Sequence, residues 1–283
     1  MHSHDTISHD ITLNNIKNIG ISAFYRCEKI PNITINLNNL KIIDNKAFRF
    51  CKNLTNINTI NYSEKENNYI IGNNTFEYCY KLKNVNDLIA NASSIGVKAF
   101  YKCNNLVEVK FNINKLNSIG DDAFNNCDKL TISFITNSIN SDFKIGNNVF
   151  KNCKNINIDN MYKFLTYTNS KDKALNIFDP NLFLNGLYLQ APDILLGDTC
   201  IITLLYSYEN DFSYLNQFDT INYDLYYKRS NKSVWNKLKF YTNSKQSKLN
   251  PISSGEIELR CIITAKKDDI EYTKEIYGSF KIT

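Results

Sequence analysis

Glycine is scarce in this chain of 283 residues, with only nine in all, and no two stand close enough to build a phosphate-cradling loop. The P-loop and the dinucleotide fingerprint are thereby excluded. Histidine is scarcer still: His2, His4 and His9 fall within the first ten residues, so a Ser-His or Cys-His pair inside a folded core is not expected. No apolar run reaches the ~18 residues of a membrane span, and MHSHDTISHD lacks the apolar stretch of a secretory signal. A strong charge of one sign is also missing. Lys and Arg number 33 against 28 Asp and Glu, a formal charge of +5 without runs, so no nucleic-acid partner is expected. The closest carboxylate pair, Asp121 and Asp122, is read as solvated charge on a turn, and the chain as non-catalytic and free of cofactors.

What is present in quantity is a repeat. IGVKAFYKCNNL (95–106) recurs as IGDDAFNNCDKL (119–130), IGNNTFEYCYKL (71–82) and IGNNVFKNCKNI (145–156), with looser copies at 19–30 and 42–54. The phenylalanines Phe24, Phe48, Phe76, Phe100, Phe124 and Phe150 stand 24, 28, 24, 24 and 26 residues apart. A fixed period in the twenties marks a solenoid, whose units stack on their neighbours. Apolar residues on alternate positions, such as Ile33 and Ile35, predict a short strand in each unit. Glycine after the isoleucine predicts a turn needing positive φ or close backbone approach; the second unit has Asp44 there. The Ala-Phe pair predicts a helical turn with the ring pointing inward. An insertion at 63–68 accounts for the longest spacing.

Cys27, Cys51, Cys79, Cys103, Cys127 and Cys153 lie three residues after each phenylalanine. Stacked coils place equivalent atoms roughly 4.8 Å apart with parallel Cβ vectors, whereas a disulfide wants Cβ atoms about 3.8 Å apart and turned together. The six are read as a ladder of buried, reduced thiols acting as small hydrophobes. No tight C-x₂-C spacing suggests a metal site.

The I-G-x-x-A-F-x-x-C-x-x-L unit resembles the BspA-type (Treponema pallidum-type) leucine-rich repeat over residues 11–160, in six units. That resemblance implies a surface-exposed, adhesin-like protein of the cell surface or extracellular space. Its implied partner is a protein, such as a host extracellular-matrix or cell-surface protein, with no membrane insertion by this chain. The alternative is a cytoplasmic leucine-rich-repeat scaffold. The candidate binding face comprises the outward residues of the repeat strands, on the expected concave side: Asn32, Thr34, Asn36, Asn56, Asn58, Asn84, Asn86, Glu108, Lys110 and Asn112. Thr131, Ser133, Asn155, Asn157 and Asp159 extend it. Ile11, Leu13, Ile16 and Ile19 read as the second half of a unit, which suggests a fragment of a longer protein.

After Ile158 the motif stops. Residues 161–190 read as a cap and connector, and 191–283 as period-two strands broken by polar turns, predicting a β-sandwich. SGEIELRC before Cys261 resembles the approach to the second cysteine of an immunoglobulin-like domain. Cys200 and Cys261 are candidates for a bridge, with two buried thiols the alternative. The fold class expected is α+β multidomain: residues 1–10 disordered, a leucine-rich-repeat solenoid of short strands and helical turns, then an all-β Ig-like sandwich.

Overall fold

The computed structural model describes residues 9–60, 68–135, 138–207, 212–241 and 244–283. Most of the expected loose N-terminus (1–8, with His2 and His4) and most of the insertion (63–67) lie outside the described residues. Asp10 is engaged, its carboxylate accepting from the Asn32 amide at 2.9 Å. The chain divides into two units, Met1–Asp179 and Pro180–Thr283.

The first unit is a solenoid with two parallel ladders. One holds β1 (Ile11–Leu13), then, after β2 (Asn18–Ile19), β3 (Asn32–Asn36), and, after β4 (Ile42–Ile43), β5 (Asn56–Ile60). Single bridges at Asn84 carry it across the next coil to Glu108. β2 and β4 open the second ladder and β6 (Tyr69–Ile71) continues it. The third coil forms no long strand beyond Asn84. Instead α1 (Asn86–Ala90) buries Leu88, Ile89 and Ala90, so Asn86 starts a helix and is not a strand residue. β7 (Ala92–Ile95), β9 (Ser118–Ile119) and β11 (Lys144–Ile145) complete the second ladder, and β8 (Glu108–Phe111) with β10 (Thr131–Phe134) the first. Identical pairs stack along it: Ile19, Ile43, Ile71, Ile95, Ile119 and Ile145 in register.

The third side corrects the expected helical turn. Residues two before and two after each phenylalanine take left-handed backbone: Lys46 and Phe50 at φ 60° and 63°, Asn74 and Tyr78 at 57° and 64°, Lys98 and Lys102 at 54° and 59°. Alternate amides then point along the stack, as with Lys46 N to Asn73 O, Phe48 N to Thr75 O and Phe50 N to Glu77 O, each 2.9 Å. The residues between bond within the turn, as with Cys51 N to Phe48 O. A helix would spend all its amides on itself; this arc shares half of them with the next coil.

The glycines answer to close approach, because positive φ belongs among described glycines to Gly197 and Gly255. A methyl group at Gly96 would lie 2.6 Å from the Gly72 carbonyl carbon and 2.5 Å from the Asn73 carboxamide oxygen. That oxygen is in place because it accepts Val97 N at 2.8 Å, as Asn45 does for Asn73 N. The Ala-Phe pair is buried in the second, fourth and fifth units, and the rings stack. Centroids of Phe24, Phe48, Phe76, Phe100, Phe124 and Phe150 follow at 5.0, 5.2, 5.1, 5.1 and 5.5 Å, with interplanar angles of 15° or less.

Ile156–Ile158 does not form the expected last strand. Asn157 caps α2 (Ile158–Tyr167), accepting Asn160 N, and Asp159 sits in its first turn, where a carboxylate suits the helix dipole. Phe164 on α2 meets Phe111, Phe150 and Phe178 edge-on at 5.6, 5.1 and 5.7 Å, closing the end of the core. α3 (Ala174–Ile177) leads to Phe178, which stacks on Phe150 at 4.9 Å. The ring column thus runs one position past the last motif.

The second unit opens with α4 (Pro180–Leu184), and its described residues hold seven antiparallel strands. β12 (Leu187–Gln190), β13 (Cys200–Tyr206) and β16 (Gln246–Leu249) form one sheet in the order β12-β13-β16. β14 (Thr220–Arg229), β15 (Asn236–Leu238), β17 (Gly255–Lys267) and β18 (Ile270–Ile282) form the other, ordered β15-β14-β17-β18. β12 falls inside the expected connector and β16 was not foreseen as a strand. Along β17 every second residue from Ile257 to Ala265 is buried, the signature of one inward face. Asp268 and Asp269, both at positive φ, make the two-residue hairpin to β18.

Gly96→Ala is expected to lower stability by about 1–3 kcal/mol in urea unfolding. Gly20→Ala, where nothing lies within 4 Å of the added methyl, is expected to change it by less than about 0.5 kcal/mol.

Candidate functional site

The sulfur ladder is more than apolar filling. Cys51 Sγ donates to Phe24 O at 3.0 Å, Cys79 to Phe48 O at 3.1 Å, and Cys103 to Phe76 O at 3.2 Å. Cys127 reaches Phe100 O at 3.2 Å and Cys153 reaches Phe124 O at 3.1 Å. Each of these five thiols therefore spans to the preceding coil and hydrogen-bonds the carbonyl of the motif phenylalanine there. All eight cysteines are buried and free. Burial raises the Cys51, Cys79, Cys103 and Cys127 thiols well above an ordinary value of 9.0, and neighbouring thiols or Glu77 add to the shift. Cys200 is pushed up to about 11 and Cys261 to about 12, again chiefly by burial. Neutral, buried sulfur of this kind is a poor nucleophile.

Asp121 and Asp122 are both committed to structure. Asp121 accepts Asn147 N at 2.7 Å, and Asp122 accepts the Asn125 amide at 2.7 Å. Among the described residues no group of three or more His, Cys, Asp or Glu side chains could hold a metal ion.

The outward residues of the first ladder form two rows. Asn32 pairs in register with Asn56, and Thr34 with Asn58; Asn84 bridges Asn56 to Glu108, while Lys110 pairs with Ser133. The side chains interlink: Asn56 donates to Asn32 at 2.8 Å, Asn86 to Glu108 at 3.2 Å and Ser133 to Glu108 at 2.9 Å. Asn36 is buried and leaves this face, as do Asn157, the cap of α2, and Asp159 in its first turn.

A second surface comes from motif positions that have no consensus in the sequence. The two residues between phenylalanine and cysteine, treated as x-x in the motif, read Tyr25-Arg26, Arg49-Phe50, Glu77-Tyr78 and Tyr101-Lys102 in the first four coils. Apart from Glu77, which is buried, they line the outside of the turn arc. Phe50 and Tyr78 stack at 4.7 Å, and Tyr25 and Tyr101 meet them edge-on at 5.9 and 5.7 Å. Arg26 lies 5.4 Å from the Phe50 centroid, Arg49 4.8 Å from the same ring, and Lys102 5.5 Å from both Tyr78 and Tyr101. Arg49 also ion-pairs with Glu77.

A stack of parallel coils with a ring column and a repeated L-x-x-type motif defines a leucine-rich-repeat solenoid. The chain belongs to the BspA-type leucine-rich repeat family: the description of the BspA type Leucine rich repeat region matches six copies over residues 5–86 and 69–172. No curated protein matches the sequence. Two solved structures from Listeria monocytogenes are similar at a distance. The internalin-like protein lmo2027 shares 11% identity over 99% of this chain and 88% of its own, with a TM-score of 0.29. InlP shares 13% over 99% and 89%, with a TM-score of 0.28. Both likenesses are too distant to bear on function. Among the described residues no helix is long and apolar enough to cross a membrane.

The raised thiols fix a pH dependence. Their protonated form is the one the folded state holds, so their stabilisation is complete below about 9. Above 9.0 the unfolded chain loses these protons first, and stability falls as pH climbs toward the folded values, by up to about 1.4 kcal/mol per pH unit for each thiol. Urea midpoints are expected to be flat from neutral pH to about 9 and to drop steeply beyond. Iodoacetamide at pH 8 should leave the native ladder cysteines unmodified.

Proposed function

We propose that the chain is a non-catalytic, adhesin-like binding protein that presents its repeat array to a protein partner, a host extracellular-matrix or cell-surface protein. The supporting observation is the register of the first ladder. It turns residues 22 to 28 positions apart in sequence, such as Asp10, Asn32, Asn56 and Asn84, into adjacent side chains of one face. Stacked repeats build binding surfaces in this way. The site assigned on this reading is Asn32, Thr34, Asn56, Asn58, Asn84, Asn86, Glu108 and Lys110. A cell-surface or extracellular location accords with it.

The second unit is read as an Ig-like module. Strand one pairs with two, two with five, three with four and six, and six with seven, an order that matches the A-B-E and C′-C-F-G sheets of that architecture. Cys200 then stands on the B strand and Cys261 on the F strand, the places of the inter-sheet bridge. Departures remain: Trp235 lies outside the core under Lys228, at 5.1 Å, and Leu259 stands where a tyrosine corner would put Tyr.

An intracellular scaffold is the second reading, and eight free buried thiols favour it. Thiol titration of the denatured, unreduced protein isolated from its source separates the two. Six free thiols are expected for an exported protein with a Cys200–Cys261 bridge; eight would favour the cell interior.

Binding to immobilised extracellular-matrix proteins is expected for the wild-type chain. Asn56→Ala combined with Asn84→Ala should weaken it without moving the melting temperature. If the pair binds as wild type does, the first-ladder face is not the site.

A further inference from the structure

We infer that the solenoid carries a second, stronger docking surface, the aromatic and cationic stripe on its turn arc, and that this stripe takes an acidic polypeptide segment. The inference rests on the reading of the chain as a protein-binding solenoid, and it names a surface and a partner chemistry.

The first observation is conformational. Position two after the motif phenylalanine is left-handed in every coil. In the fifth and sixth coils Asn126 and Asn152 hold it, at φ 61° and 60°, and Asn is among the residues that tolerate this backbone best. The first four coils place Arg26, Phe50, Tyr78 and Lys102 there. Bulky side chains in this region are costly and mark places where something other than stability set the choice. The neighbouring coils show that the turn itself does not require them.

The second is composition and exposure. Tyr80, 5.9 Å from the Tyr78 ring, and Lys98, 5.7 Å from the Tyr101 centroid, extend the stripe; Arg26 and Tyr80 are exposed, and Phe50, Tyr78, Tyr101, Lys98 and Lys102 half-buried. Tyr and Arg are the residues interfaces favour at their energetic centres. Among the described residues the one carboxylate ion-paired to the stripe is Glu77, on Arg49, which leaves Arg26, Lys98 and Lys102 as an excess of positive charge. On the first-ladder face, by contrast, Asn56 and Asn86 spend their amide donors on Asn32 and Glu108 of the same face.

The third is what the stripe leaves open. Phe50 and Tyr78 cover each other's faces at an interplanar angle of 6°, and cations stand over the rings. Nucleobases and sugars need free ring faces on which to stack. Ring edges, which carry the positive end of the aromatic quadrupole, and guanidinium and ammonium N–H groups remain. Carboxylates match both, and apolar side chains between them match the ring perimeters. A polypeptide alternating acidic and apolar residues uses the whole stripe; a sulfated polysaccharide uses its charges alone.

The test uses the full chain and a fluorescent peptide alternating Glu and Leu, beside its Gln-Leu counterpart. The Glu-Leu peptide is expected to bind, the Gln-Leu peptide to bind at least about tenfold more weakly, and salt to weaken the former. Arg26→Gln with Lys102→Gln, and separately Tyr78→Asn, should each weaken binding about tenfold. Tyr78→Asn copies the residue of the later coils, so the chain should remain cooperatively folded by circular dichroism. Lys144→Gln, at an exposed position on the second ladder, should leave peptide binding unchanged. Equal binding of the two peptides, or peptide binding untouched by both stripe variants, overturns the assignment. Heparin binding without peptide binding overturns it in favour of a glycan site. Peptide binding untouched by both stripe variants, beside retained matrix-protein capture, sinks the stripe while leaving the protein-binding reading intact; capture absent from the wild type sinks that reading whatever the peptide does.

Discussion

Everything in the repeat unit follows from one constraint: each coil must come near enough to its neighbour for backbone amides to bond across the gap, at a spacing of roughly 4.8 Å. Where the second ladder runs into the turn, that distance leaves no room for a Cβ at Gly72, Gly96, Gly120 and Gly146, and glycine is the result. Where the core is widest, the same distance is that of offset aromatic stacking, and phenylalanine is the result. Between them the gap holds a small side chain able to donate, and cysteine supplies it. The carboxamides of Asn45 and Asn73, which close the turn onto the next coil, fill the space that the following glycine leaves.

The solenoid was legible because this constraint repeats, and a period needs no local detail to be seen. The six phenylalanines gave the number of coils and their insertions. What could not be read were conformations that depend on the neighbour. The Ala-Phe-x-x-Cys stretch has a helical spacing, yet its amides have better partners one coil away than one turn away, and the arc goes left-handed at Phe50 and Tyr78. Asn86 and Asp159 have the same local look as strand residues elsewhere. One opens α1 and the other the capped first turn of α2. Phe178 was missed for a different reason. It carries neither the glycine nor the cysteine of the motif, only the ring.

In the second unit the long strands were visible from alternation, and the short ones were not. β16 reads Gln-Ser-Lys-Leu and is held by its pairing with β13, Cys200 to Leu249 through Thr203 to Gln246. β12 reads Leu-Tyr-Leu-Gln and lay in a stretch already assigned to the connector. β16 takes its identity from a partner distant in sequence, and β12 from the strand that follows it. The candidate surfaces divide in the same way. The ladder face could be listed residue by residue from the strand period, whereas the turn stripe emerges only when motif positions of no consensus are laid side by side by the stack.

The sulfur-to-carbonyl bonds all run one way, from a later cysteine to an earlier phenylalanine. As the chain leaves the ribosome, each new coil brings its donor to an acceptor that is already waiting on the folded edge. The growing edge therefore offers a fixed docking point for one coil at a time, and assembly can keep pace with synthesis without long stretches of apolar chain standing exposed.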